Sequence, residues 1–408
     1  MPAVPRHVVI IGGGITGLTA AYALNENERQ YPSAGRTFTC TLVEASPRLG
    51  GKILTERSNG FVIEAGPESF LAQKPWGIDL CRRLGLTESL IPTLPEHRKT
   101  FVLLGGRLHE LPQGLVMGVP AKLGPFLRTS LLSWPGKLRL AAELFIPRIR
   151  HNEDESLATF FRRRLGKEAL DRIIEPLLTG IYTGAADQLS LLATFPRFRE
   201  MEREHGSLLR ALLVSKWKAA KEEEAVPSAT PFVTLREGLG HMIDVLAERL
   251  ESTTVCVEAP VRELRRRGEQ GYEVVMDDRL LPADVVVLTV PAYGAAGLLA
   301  PLDRSLSDQL ASIPYASSVT ASLAFRKQDL HHDLDGYGFV VPRVENRLLI
   351  ASTWTSSKWE HRAPHDAVRH PARGARPPGP CAGGEAGGHD GVCRSARAGI
   401  APARRTPV

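Results

Sequence analysis

The chain has 408 residues, enough for two or three domains around a large core. Its formal charge of +6 comes from the end of the chain: residues 369–408 hold seven Arg against Glu385 and Asp390, and the rest carries 44 basic and 43 acidic residues. That near-neutral body, with no basic patch interleaved with aromatics, excludes a nucleic-acid partner. Five cysteines, at 40, 81, 256, 381 and 393, lack metal or disulfide spacing and indicate a reducing compartment.

The first predicted element is a buried strand, Val8 to Ile11. It runs into Gly12-x-Gly14-x-x-Gly17 and an Ala-rich helix. This is the spacing of a dinucleotide-binding turn. Gly12 permits the tight turn, Gly14 lets backbone approach a pyrophosphate, and Gly17 lets the helix pack on the strand. The helix start at Ile15 and Thr16 offers free N–H groups to phosphates. A second strand, Phe38 to Val43, ends in Glu44, placed to accept hydrogen bonds from a ribose and to repel a 2′-phosphate. Arg48-Leu49-Gly50-Gly51-Lys52 follows, a glycine pair between two cations that suits a second pass of backbone along a long dinucleotide. Gly60 to Phe70 alternates like a strand and ends in the turn at Gly66-Pro67.

From about 75 to 220 the chain turns rich in Leu, Arg, Lys and Ala at helical spacing, broken by Pro112, Pro120, Pro125, Pro135 and Pro147. Leu111 to Ile149 mixes apolar residues with Lys122, Arg128, Lys137, Arg139 and Arg148. Two readings fit it: a face for peripheral contact with a membrane surface, or packed helices with solvated charged faces. No apolar run reaches membrane-spanning length, and the first strand begins within eight residues, with no room for a signal peptide.

Strand character returns at Phe232 to Leu235, before a helix through Leu250. Strands at Thr254 to Glu258 and Pro260 to Leu264, a hairpin around Asp277-Asp278, and an apolar strand from Asp284 to Pro291 follow. The last reads as part of a sheet covered on both faces. Ser318–Phe325, Tyr337–Val341 and Leu348–Trp354 read as an antiparallel sheet. Of the 40 residues from 369 to 408, 29 are Ala, Arg, Gly or Pro, a composition that builds no core.

The fold expected is therefore α/β: a discontinuous Rossmann-like (GxGxxG) domain in residues 1–72 and 226–305, a helical insert in 73–225, a substrate-domain sheet in 306–366, and a disordered or frame-shifted tail in 367–408. The glycine turn, the Glu44 to Lys52 run and Gly66-Pro67-Glu68-Ser69-Phe70 resemble the amine-oxidase-type flavoproteins. Ile174 to Gly184, followed by Leu189-Ser190, is narrower and resembles the protoporphyrinogen/coproporphyrinogen oxidases of haem synthesis. Thr353 to Trp359 also resembles that family, above all its soluble Gram-positive branch.

The resemblance implies FAD and a stepwise six-electron oxidation of a porphyrinogen, with O2 as acceptor and H2O2 as product, in the cytoplasm or peripherally on the inner membrane face. It leaves coproporphyrinogen against protoporphyrinogen, and the oligomeric state, open. It implies no catalytic side chain and no metal, because the flavin accepts the hydride and the protein supplies orientation and a dry pocket. Carried over, Gly12, Gly14, Ile15, Thr16, Gly17, Glu44, Arg48, Gly50, Gly51 and Lys52 hold the ADP and pyrophosphate side. Backbone at Gly66 and Pro67 approaches the flavin, and Val261 the adenine. Phe70, Ile181, Tyr182 and Gly184 line the substrate cavity, and Lys74 meets a substrate propionate, with Arg98 and Lys99 as weaker candidates. The family's last strand, glycine turn and helix over the FAD pyrophosphate find no match in residues 369–408, which implies weak FAD binding. Two further readings remain: a desaturase or amine oxidase of the same superfamily, and a non-catalytic porphyrin-binding remnant.

Overall fold

The computed structural model describes residues 6–375 apart from 31–37, 113, 117–118, 121–122, 150–152, 183, 222–230, 269, 331 and 365–366. They divide into two compact units, one drawn from residues 6–92 and 231–315, the other from 93–221 and 316–375.

The first unit is built on a four-stranded parallel sheet. Its order is Thr253–Cys256, Phe38–Val43, Arg6–Ile11 and Val285–Leu288. Successive residues of a strand point to opposite faces, and here both faces are covered. Val8, Ile10 and Leu42 enter one core with Leu18, Leu246 and Cys81, while Val9, Ile11 and Val43 enter another with Leu264 and Val274. That burial on both sides explains why these strands read as unbroken apolar runs. Val261–Arg266, Tyr272–Met276 and Leu280–Ala283 form an antiparallel meander. Thr55–Ser58 and Phe61–Glu64 form a hairpin whose turn residues Asn59 and Gly60 both take positive φ, 48° and 78°, as a two-residue turn matched to strand twist requires.

The second unit joins a helical cluster to a six-stranded mixed sheet. The cluster packs Leu131, Leu157, Phe160, Phe161 and Ile173 into one core. Its helices begin where the sequence supplies caps. Ser133, Ser156 and Ser190 each accept a backbone N–H three residues on, from Gly136, Thr159 and Ala193. Pro135 and Pro196 occupy first-turn positions where no N–H is needed. The sheet runs Ser318–Arg326, Ala367–Ala375, Leu349–Thr353, Gly336–Val340, Lys99–Leu104, Arg107–Glu110.

Four expectations are corrected. The first unit extends to 92 rather than 72, because the helix Pro75–Leu84 buries Leu80, Cys81 and Leu84 in the dinucleotide core. Residues 306–315 also belong to that unit. The second sheet is mixed, not antiparallel: Gly336–Val340 pairs in parallel with Lys99–Leu104, from the stretch read as purely helical. And residues 367–375 of the tail form a strand along Ser318–Arg326, from Arg326↔Ala367 to Ser318↔Ala375. Backbone pairing asks little of side-chain composition, so a sequence poor in core formers still completes a ladder. Residues 376–408 lie outside the described residues.

Candidate functional site

At the end of Arg6–Ile11, Gly12 takes φ 112°, a conformation that strains any other residue. A Cβ on Gly17 would lie 1.9 Å from the Gly12 carbonyl oxygen, so the helix Ile15–Gln30 sits directly on the turn. Gly14 differs from both. Its φ is not positive, and a Cβ there would meet only Gly51 Cα, at 4.0 Å. The protein itself gives no reason for glycine at this position. Ile15 and Thr16 open the helix, half-buried and exposed, and their backbone N–H groups precede the first intrahelical bonds.

A second glycine loop lies against the first. Gly50 N–H donates to the Gly13 carbonyl at 2.8 Å, Gly14 bridges to Gly50, and Gly50 and Gly51 take φ of 100° and 57°. Glu44, at the tip of its strand, is held rigidly. Its Oε2 accepts the Gly13 N–H at 2.6 Å and its Oε1 the Ser46 N–H at 2.8 Å. A carboxylate has about four acceptor positions, so each oxygen keeps capacity for a hydroxyl. Arg48 turns back on its own loop and donates to the carbonyls of Leu49, Gly51 and Ile53. Its guanidinium shapes the loop. Lys52 is exposed, and its ammonium lies 5.9 Å from the centre of the Tyr315 ring. The Lys52 carbonyl oxygen would sit 1.9 Å from a Cβ on Gly66, so the Gly66-Pro67 turn packs on backbone at the same loop.

The structure therefore brings Gly12, Gly14, Gly17, Glu44, Gly50, Gly51, Lys52 and Gly66 together. The vacancy beside Gly14, the open helix start and the fixed Glu44 carboxylate fit a dinucleotide. Two positioning groups had no sequence signal of their own. The Thr289 hydroxyl lies 2.9 Å from the carbonyl oxygens of both Ile11 and Gly12. Buried Glu64 accepts the Thr55 hydroxyl at 2.7 Å and the Leu239 N–H at 2.8 Å, and Thr55 Oγ1 accepts the Gly240 N–H at 2.7 Å. That knot ties the hairpin to the start of the helix Gly240–Glu248.

Val261 begins its strand half-buried, at a bulge. Phe70 pairs with Val233, and its ring packs over Gly77, where a Cβ would lie 2.9 Å from Cδ2. Lys74 immediately precedes the helix Pro75–Leu84, its ammonium 5.8 Å from the ring centre of Trp76.

Tyr182 and Gly184 belong to the second unit. The helix Glu175–Tyr182 follows a π-helical turn, Leu170–Ile174, an irregularity found often at functional sites. Tyr182 is 40% exposed and meets Phe195 edge-to-face, ring centres 5.5 Å apart. Partial burial pushes its phenol up. A Cβ on Gly184 would lie 3.2 Å from Leu189 Cδ2. The Ile181 side chain lies outside the described residues. Burial pushes the Glu175 carboxyl up, against the opposing charge of Arg343 at 3.3 Å. Thr179 Oγ1, one turn further on, is buried with no hydrogen-bond partner among the described residues. Of the weaker candidates, Arg98 ends a 3-10 turn and Lys99 is paired with Asp335. That ion pair occupies the Lys99 ammonium with a carboxylate of the chain itself.

Comparison with known proteins agrees with this geometry. The flavin containing amine oxidoreductase family matches residues 15–371. The coproporphyrinogen III oxidase of Bacillus subtilis (strain 168) is 38% identical over 360 residues, 88% of this chain and 75% of that protein. The Staphylococcus aureus (strain NCTC 8325 / PS 47) protein of that name is 33% identical over 369 residues, covering 89% and 77%. A crystal structure from Exiguobacterium sp. 255-15, described as a protoporphyrinogen oxidase, superposes with a TM-score of 0.78 at 35% identity, over 91% of this chain and 78% of that one. The chain belongs to the flavin containing amine oxidoreductase family, in the branch that holds the coproporphyrinogen III and protoporphyrinogen oxidases.

Proposed function

We propose that the protein oxidises coproporphyrinogen III to coproporphyrin III with FAD and O2, in three two-electron oxidations that release three H2O2. The observation that carries this reading is the 38% identity to a coproporphyrinogen III oxidase across 88% of the chain. Bound FAD would supply the hydride acceptor for the porphyrinogen and the route for its electrons to O2.

The chain's own residues bind and orient. Backbone at Gly14, Ile15, Thr16, Gly50 and Gly51 and the Lys52 cation hold the pyrophosphate, and Glu44 takes the ribose hydroxyls. Gly66, Pro67 and Val261 support the rest of the cofactor. Lys74, with no carboxylate partner among the described residues, offers its charge to a substrate propionate. Tyr182, edge-to-face with Phe195, supplies apolar surface that excludes water. No helix among the described residues is long and apolar enough to cross a membrane. The exposed stripe Trp134, Leu138 and Phe145, beside exposed Arg128 and Arg148, supports peripheral contact with an anionic cytoplasmic bilayer surface.

The test is anaerobic addition of coproporphyrinogen III, and separately protoporphyrinogen IX, to FAD-reconstituted protein. Bleaching of the flavin by coproporphyrinogen III, then porphyrin fluorescence on adding air, is expected. Bleaching by protoporphyrinogen IX alone overturns the substrate. Bleaching by neither, or bound porphyrin without H2O2, overturns the activity.

A further inference from the structure

Lys52 sits at the meeting point of the two glycine loops and the Gly66 turn, yet no carboxylate pairs with it among the described residues. A lysine stem is long and carries about 2 kcal/mol of rotamer freedom. A cation left to wander here binds an anion poorly, because that freedom is lost on binding. One contact restricts it: the face of Tyr315, whose centre is 5.9 Å from Nζ, within the range where a ring attracts an ammonium.

Tyr315 is itself fixed from two other sides. Its hydroxyl oxygen accepts the Ala292 N–H at 2.8 Å, at the first residue of the helix Ala292–Leu299. The Tyr293 ring meets it edge-to-face, ring centres 5.1 Å apart and 81° between planes. A phenol that is 46% exposed and contributes little to a core is thus held in one orientation by a backbone donor and a second aromatic ring.

We propose that Tyr315 is a positioning residue for cofactor binding. Its ring holds the Lys52 ammonium over the glycine loops, and Tyr293 and the Ala292 N–H hold the ring. The proposal rests on the reading that Lys52 faces the FAD pyrophosphate. A cation–π contact at an exposed site is worth about a three- to fivefold change in affinity.

The test titrates FAD into apoprotein, read by quenching of flavin fluorescence, with apoprotein melting temperatures measured alongside. Lys52→Met weakens binding. Tyr315→Leu weakens it about three- to fivefold, Tyr315→Phe, which keeps the ring, much less, and Tyr293→Leu by an intermediate amount. In the Lys52→Met background Tyr315→Leu has no further effect. If Lys52→Met binds FAD normally, or wild-type apoprotein binds none, the reading of Lys52 fails and the proposal with it. If Lys52→Met weakens binding but Tyr315→Leu does not, the proposal alone is overturned. Equal losses from Tyr315→Leu with and without Lys52 also overturn it, because the role is then structural. Should Tyr315→Leu not fold, Tyr293→Leu and Tyr315→Phe carry the same double-mutant comparison.

Discussion

The hydroxyl of Thr289 lies 2.9 Å from the carbonyl oxygen of Gly12 and couples the last strand of the parallel sheet to the first glycine turn. Thr289 Oγ1 would lie 2.8 Å from a Cβ on either Gly12 or Gly17, so one side chain enforces two of the three glycines. Thr289→Val removes the donor at constant shape. A hydrogen bond of this kind contributes about 1 kcal/mol. FAD affinity should fall about fivefold, while Thr289→Ser stays near wild type, both read by titrating apoprotein.

Gly14 and Gly17 should fail in different ways. Gly17→Ala forces a methyl to within 1.9 Å of the Gly12 oxygen, so the apoprotein should melt about 10 °C lower or not fold. Gly14→Ala meets open space in the protein, so the apoprotein melts normally, yet FAD affinity drops at least about tenfold. Calorimetry of apoprotein and flavin titration separate the two. Equal behaviour of the two variants would refute the account of Gly14.

In the helical cluster Arg164 and Glu143 are both fully buried and paired, and Glu143 also caps the helix Leu208–Lys221 through the Leu208 N–H at 2.9 Å. Truncating one partner strands a buried charge at a cost of about 3–5 kcal/mol. Glu143→Ala should therefore lower thermal stability far more than Glu153→Ala, on an exposed side chain.

Acid should reach the same cluster through Glu202. Burial alone would raise its carboxyl, but the Arg163 hydrogen bond and charge, with Arg164 behind, outweigh burial and hold it below its ordinary 4.5. A depressed carboxyl stabilises the fold above its unfolded-state value and loses that stability as pH falls through the folded-state value. The melting temperature should be flat from neutrality to about pH 5 and fall below about pH 4, with a shallower acid limb in Glu202→Gln.

Lys74 and Lys99 should separate in kinetics. Lys74→Ala removes an uncommitted charge and should raise KM for the porphyrinogen about tenfold with kcat little changed. Lys99 already faces Asp335, which holds Lys99 protonated by hydrogen bond and charge, so Lys99→Ala should alter KM by less than about twofold. The exposed stripe has its own assay. Trp134→Ser, Leu138→Ser and Phe145→Ser together should cut co-sedimentation with phosphatidylglycerol vesicles by at least tenfold, about 1.4 kcal/mol, without loss of turnover in solution.

The glycine turn, Glu44 and the Gly50-Gly51 loop were legible in the sequence because their demands are local. A positive φ, a close backbone approach and a strand ending in an acid each leave a residue-type signature at fixed spacing. The sheet order was not legible. Alternation tells which face a residue takes but not which strand lies beside it, so Lys99–Leu104 and Ala367–Ala375 joined a sheet that their composition did not announce. Arg48 shows the limit at a single residue. Its position in the motif suggested a phosphate ligand, and its three carbonyl partners lie within five residues of it, an arrangement that charge alone cannot reveal.

The dinucleotide turn, the branch of the family and the break of composition at residue 369 are readable from the residues alone, since each is carried by contiguous residues. Folding in three dimensions is what lets Thr289, 277 residues away, lock that turn, pairs Asp335 with Lys99, and brings Tyr315 to Lys52. Those are pairings between segments far apart in the chain. They depend on where packing brings backbones together, and no local pattern of residues encodes that.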